Sequence, residues 1–324
     1  MKHFYAIYAL LFLFSLNAIA LETDNFLTWG RELKDSSDLI NDYINDQVKV
    51  ELQKINRKKK LFSCEKVRNK LVMSFRGFIT HPMEHWIESS LGKNRVYPSE
   101  EEYSDREYFM MSIYGTPKFD VSKYFSLSRN ININGIYLGT DKLSHWMSTG
   151  ERYYQVYTRA MKKENNEQKA FKRAINYGIF LDRFILGGVS SGVFSFGDLE
   201  ANFQGLLFNR RFCRVQENQR YLVATENGKW RFQHRIDVRD YVNPNFDETF
   251  NPSLFSVFKW KKVQENFKRE NCQKIQNQVF KQRFDYYRQV LKPSFSFKYI
   301  EELKKKKKRL PPNQSRKYTN ICQQ

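Results

Sequence analysis

Apolar residues along the chain recur mostly at helical spacing, with one unpatterned interval and one short alternating interval. Positions 25–61 carry Leu39, Ile40, Tyr43, Ile44 and Val48 on one helical face and end in a basic run at 57–60, which predicts a long first helix. A second helix is expected over 64–78. From 96 to 136 no period is sustained and turn signals accumulate, among them Tyr97-Pro98-Ser99 and the Asn-rich 130–135, so an irregular connection is expected. Two helices follow at 141–162 and 167–186, joined through Glu164, Asn165 and Asn166, and a third opens at Ser195. The pattern then changes: Tyr221 to Thr225 alternate, Asn227-Gly228 supplies a tight turn with positive φ, and Trp230-Arg231-Phe232 returns, which predicts a β-hairpin. A long amphipathic stretch at 251–291, broken near Glu270, is stopped by Pro293. Six consecutive cations at 304–309, followed by Pro311 and Pro312, read as a solvated linker before the tail. The expected fold class is mainly α. It comprises a helical core over 21–220, a small β-hairpin insertion over 221–242, C-terminal helices over 251–292 packed on the same domain, and a basic tail over 293–324.

Composition supports a folded chain. The 28 Phe, 19 Tyr and 5 Trp provide ample material for a core, while 14 Gly and 8 Pro in 324 residues are too few for a loop-rich sandwich or propeller. The N-terminus suggests the compartment. Lys2, the apolar run 4–16 and the small residues Ala18 and Ala20 make residues 1–20 a signal peptide, with cleavage expected after Ala20. The alternative is a retained anchor, for which the run is short and is followed at once by Glu22 and Asp24. The stretch 177–196 approaches membrane length but holds Asp182 and Arg183 and is interrupted by glycines, so no transmembrane span is expected after cleavage. The expected location is the periplasm or cell envelope. There Cys64, Cys213, Cys272 and Cys322 would form two disulfides; three pairings are open, and Cys64 with Cys213 and Cys272 with Cys322 is favoured because the second would tie the polar tail to the last long helix.

Two stretches carry candidate chemistry. Asp141-Lys142-Leu143-Ser144-His145 puts Asp141 and His145 at i and i+4 on a helix, where a carboxylate can orient an imidazole. Ser195 followed by Asp198 opens the next helix as a capping-box-like start, with Asn202 on the same face and with Ala201 and Gly205 as small surfaces for close helix packing. Each has a plain alternative, a satisfied core histidine in the first case and a well-capped core helix in the second. As chemistry, His145 would be an acid/base oriented by Asp141, with Asp198 beside it and Lys142, Asn202, Asp182 and Ser195 as binding residues of a hydrolase or transferase, with or without a metal.

Asp-Lys-x-x-His opening one helix and Ser-x-x-Asp-x-x-x-Asn-x-x-Gly opening a later one resemble the VanZ-like proteins and the small YfiM-like envelope lipoproteins, over residues 139–208. The resemblance implies that Asp141, Lys142, His145, Ser195, Asp198, Asn202 and Gly205 converge in one buried polar cluster among three helices. It also implies an envelope location. It implies no reaction, and this chain departs from the pattern: it has neither several membrane passes nor a Cys after its leader, and Asp182 is only an approximate counterpart of the middle-helix acid.

A competing metal reading uses His81, Glu84 and His85, which fit His-x-x-Glu-His spacing with Pro82 inside it. Gly188-Val189-Ser190-Ser191-Gly192 has the Gly-x-Ser-x-Gly spacing and is read as a flexible turn rather than a nucleophile elbow; no phosphate-binding Gly-rich loop precedes a helix, and no cofactor is specified. The net charge is +20, from 55 Lys and Arg against 35 Asp and Glu. In an exported protein such an excess points to anionic envelope lipid or polymer rather than nucleic acid, or to a basic face that serves solubility alone.

Overall fold

The computed structural model describes residues 22–58, 60–75, 81–116, 127–186, 192–213, 222–306, 310 and 321–322. The chain is mainly α with small antiparallel sheets. In order it forms helices Ser37–Asn56 (α1), Cys64–Met73 (α2), Pro82–Ser90 (α3), strand Val96–Tyr97 (β1), helix Asp105–Met111 (α4) and strands Asn130–Ile133 (β2) and Ile136–Gly139 (β3). Thr140–Ser144 (α5) continues through a π-helical turn, His145–Thr149, into Gly150–Glu164 (α6). Glu167–Leu181 (α7) likewise runs into a π-helical turn, Asp182–Leu186. Strand Val193–Phe194 (β4), helix Phe196–Cys213 (α8), hairpin strands Val223–Glu226 (β5) and Lys229–Phe232 (β6) and strand Leu254–Phe255 (β7) follow. Helices Val257–Glu270 (α9), Gln278–Val290 (α10) and Phe295–Lys305 (α11) complete the order.

Three expectations are corrected. The first helix does not begin at 25: Asn25–Thr28 is one 3-10 turn capped by Asp24, and Gly30 at φ +78° ends it. The chain then bridges to β2, with Ser36 N donating to Asn132 O at 2.9 Å, before α1 starts. The interval 96–136 is not simply irregular. It supplies α4 and a three-stranded antiparallel sheet in the order β1-β2-β3, with Ile131 opposite Leu138. Its turn, Asn134-Gly135 at φ +50° and +80°, is the same device that closes β5–β6 at Asn227-Gly228. Finally, the basic tail expected from 293 opens with a packed helix: α11, capped by Ser294, buries Tyr299, Ile300 and Leu303, and Lys304 Nζ lies 3.9 Å from the Phe196 ring centroid, while Lys305 and Lys306 are exposed. Residues 307–309, together with the leader 1–20, lie outside the described residues.

The frame of the polar motifs is the contact of α5–α6 with α7 and α8. Glycines allow the closest approach. A Cβ on Gly205 would stand 2.0 Å from Trp146 O, and one on Gly150 would stand 2.5 Å from Gly205 Cα, so the two backbones touch where any side chain would part them. Trp146 fills the space beside this crossing, its ring 4.6 Å from Phe208 and 5.2 Å from Tyr241. Disulfides Cys64–Cys213 and Cys272–Cys322 form, the first joining α2 to the end of α8.

Candidate functional site

Lys142 is the centre of the site. It leaves α5 beside Gly197, whose missing side chain admits the stem: a Cβ there would meet Lys142 Cε at 3.0 Å. Its ammonium is held by three carboxylates, Asp141 Oδ2 at 2.6 Å, Asp198 Oδ1 at 2.8 Å and Glu248 Oε1 at 2.8 Å. An isolated ammonium at this depth would be driven neutral. Burial does push Lys142 down, but the charges of Asp141, Asp198 and Glu248 outweigh it and hold the group well above its ordinary value.

His145 stands one turn further on, where the π-helical turn begins. Its Nε2 lies 3.1 Å from Asp198 Oδ2 and its Nδ1 3.1 Å from Asn202 Oδ1. Both ring nitrogens thus face oxygens, a surrounding that a doubly protonated imidazolium satisfies on both sides. The energetics agree: burial lowers the ring's affinity for a proton, yet the charge and hydrogen bond of Asp198 and the charge of Asp141 raise it to about 9. Asp198 shows the reciprocal effect. Burial would raise it, but His145 and Lys142 hold it well below the carboxylate range.

The supporting bonds come from distant parts of the chain. Thr23 Oγ1 donates to Asp141 Oδ1 at 2.7 Å. Ser195 caps α8, its Oγ accepting from Asp198 N at 3.0 Å, and it donates to Glu248 Oε1 at 2.7 Å. Asp182, first residue of the second π-helical turn, accepts from Ser195 N at 3.0 Å; burial, with Asp198 nearby, pushes its carboxyl well above the ordinary range. Two more acids flank the other side of α5. Glu84 accepts from the hydroxyls of Ser128 and Ser144, and Glu88 accepts from Arg129 N and Thr140. Burial raises both, Glu88 to about 8.

All seven residues of the two motifs therefore meet around one crossing, and Asp182 joins them. The predicted roles shift. Asp141 bonds to Thr23 and Lys142, and the residues that orient His145 are Asp198 and Asn202. The sequence offered no periodicity for Thr23 or Glu248, which reach the cluster from loops more than 100 residues away from Lys142. The Asp247-Glu248 pair in a turn-rich stretch was the one weak signal.

The His81, Glu84 and His85 reading is not supported. Glu84 is buried and accepts from Ser144, whereas the neighbouring His85 is exposed. Among the described residues, the group whose ligand atoms lie within 4.8 Å of one another is Asp141, His145 and Asp198. Lys142 Nζ already neutralises this group at 2.8 Å from Asp198, so its donor set is matched to an ammonium.

The cluster is closed. The side chains of Lys142, Asp141, Asp198, Glu248 and His145 are between 1 and 8% exposed. A cleft of about 980 Å3 lies on the opposite face of α8, lined by Phe203, Gln204, Leu207 and Arg210, and includes none of them. No family model matches the chain, and no curated protein or solved structure matches it either.

Proposed function

We propose that the protein is exported and binds anionic surfaces of the cell envelope, with its Asp/Lys/His/Asn cluster acting as an ionic lock between helices rather than as a reaction centre. The observation that carries this reading is the contrast between a sealed, internally neutralised cluster and an excess of cations on the outside. An acid/base needs contact with a substrate, and His145 is enclosed with both nitrogens engaged. A ring held at about 9 is also already protonated at neutral pH, the wrong state for a general base. Outside, Arg57, Lys58, Lys60, Lys261, Lys268, Arg269, Lys305 and Lys306 are exposed. The resemblance to VanZ-like and YfiM-like proteins gives the same compartment, and the two disulfides suit an oxidising one. Among the described residues no helix is long and apolar enough to cross a membrane.

Cosedimentation with anionic and neutral vesicles tests it. The expected result is binding to vesicles containing phosphatidylglycerol that weakens as salt is raised, because exposed charges are screened over about 10 Å at 0.1 M. Equal, salt-insensitive binding to neutral phosphatidylcholine, or no binding to either, would sink the proposal.

A further inference from the structure

We propose that the protein docks on anionic bilayers through a basic patch at the junction of α1 and α2, where Lys58, Lys66 and Lys70 surround the ring of Phe62; this rests on the reading above and gives it a place on the molecule. The three ammonium groups lie 6.0, 5.4 and 5.5 Å from that one ring centroid, so distance alone puts them on a common surface. Lys66 and Lys70 stand at i and i+4 on α2, and Lys58 follows the end of α1. Phe62 is half-buried, while Lys58, Lys60 and Lys66 are exposed.

Acids do not balance this group. Residues 57–73 hold seven cations and one acid, Glu65. Glu65 is engaged elsewhere, by Arg68 Nε at 3.1 Å and by the Tyr154 hydroxyl at 2.7 Å. Buried Glu151 likewise faces Arg68, at 3.5 Å, and Glu51 on α1 faces Lys54 at 3.2 Å. On the hairpin packed against α1, Glu226 is opposed by Arg231 at 3.7 Å, with Lys229 exposed beside it. Among the described residues no carboxylate pairs with Lys58, Lys60, Lys66 or Lys70. The Phe62 ring attracts each ammonium but removes none of their mutual repulsion, which an external anion would do.

Apolar side chains border the cations. Leu61, next to Phe62, is 58% exposed, and Met73, one turn beyond Lys70 on α2, is 51% exposed. Such a mixture suits a bilayer surface, where cations meet lipid phosphate and exposed apolar chains enter the acyl boundary. A soluble anionic polymer would satisfy the lysines and leave Leu61 and Met73 in water.

Both ends of the patch are held in place. Cys64, two residues after Phe62, is bridged to Cys213 at the end of α8. Asn56, the last residue of α1, donates from Nδ2 to Trp230 O at 2.8 Å and accepts from Trp230 N at 2.9 Å, which fastens that helix end to β6. The lysines therefore extend from anchored backbone, and docking has little main chain to order.

The test uses the full chain with vesicles of phosphatidylcholine alone and of phosphatidylcholine with phosphatidylglycerol. The triple variant Lys58→Gln, Lys66→Gln, Lys70→Gln should partition into the mixed vesicles about a hundredfold more weakly than wild type, with its circular dichroism unchanged. A control of equal charge, Lys261→Gln, Lys268→Gln, Lys305→Gln, removes three exposed lysines from α9 and α11 and should weaken partitioning less than about threefold, because charges away from the contact are screened. A separate variant, Leu61→Trp, should show quenching by brominated lipid beyond that of the five native tryptophans. Wild-type binding with equal losses in the two triple variants, or with no loss in the first, would overturn the patch while leaving the electrostatic reading intact. Binding of soluble polyphosphate with no added quenching of Leu61→Trp by lipid would overturn the bilayer as the occupant. Failure of the wild type to bind anionic vesicles would overturn both the patch and the reading it rests on.

Discussion

Lys142 shows how a single residue organises this protein. Its charge compensates Asp141, Asp198 and Glu248 at a depth sealed from solvent, so its removal leaves three acids facing one another. Lys142→Met should therefore cost about 3 to 5 kcal/mol in unfolding free energy, measurable by urea denaturation, whereas an exposed pair such as Lys49–Asp46 should cost under about 1 kcal/mol. The pH profile follows from the same burial. His145 is raised to about 9 in the folded state, so its contribution is complete below its ordinary value of 6.5 and is lost as pH rises through 9. The acids Asp24, raised to about 7 by burial, and Glu88, raised to about 8, also bind protons more tightly folded than unfolded. Their contributions likewise fade as pH rises from their unfolded values of about 4 through the folded ones. Asp198, held low, acts oppositely and is lost only in strong acid. The melting temperature should accordingly be higher at pH 5 than at pH 9, by more than about 5 °C, and a melt that is flat or rises over that interval would contradict this balance. Helical spacing pairs Asp141 with His145 and Asp198 with Asn202 in the sequence, and only the resemblance to VanZ-like and YfiM-like proteins implied that the two pairs meet around Lys142. Glu248 and Thr23 were not readable, since loop residues acquire a place in a cluster only through the folded path of the chain.

At the level of elements, the crossing of α5–α6 with α8 depends on glycine. Gly205→Ala must push the Trp146 carbonyl away or part the helices, and a loss of about 2 kcal/mol or more is expected in chemical denaturation, with Ala201→Ser much milder at a position that carries a Cβ already. The longer helices α1, α6, α7 and α8 follow from apolar periodicity and capping signals, whereas the short α3 and α4 did not show in the pattern; Asn227-Gly228 announced its hairpin. The sheet β1-β2-β3 was missed although Asn134-Gly135 carries the same turn signal, because the alternating Asn and Ile before it reads as a polar turn cluster until both faces of the strand are seen to be buried. Around that sheet, Asn25, Asn130 and Asn132 bond to the backbone of segments distant in sequence, a role that propensity cannot foretell. The helix α11 was hidden by the cations that follow Leu303, whose charge dominated a segment anchored by Tyr299 and Ile300.

For the whole molecule, the division of labour is between a locked interior and a basic exterior. The Cys64–Cys213 bridge spans 149 residues and closes the frame around the cluster. Replacing both cysteines by alanine should destabilise by about 3 to 5 kcal/mol, seen as a lower denaturation midpoint of the double variant against the oxidised wild type. Exposed cations such as Arg57, Lys58, Lys261, Lys268 and Lys305 contribute to the chain's +20 and are expected to act through contact with anionic surface. The most direct measurement of this division is the partitioning of an Asp198→Asn protein into anionic vesicles, at a temperature where circular dichroism finds it folded. The account predicts wild-type partitioning together with a lowered melting temperature. Lost partitioning at an unchanged melting temperature would contradict it, because the cluster would then belong to the working surface.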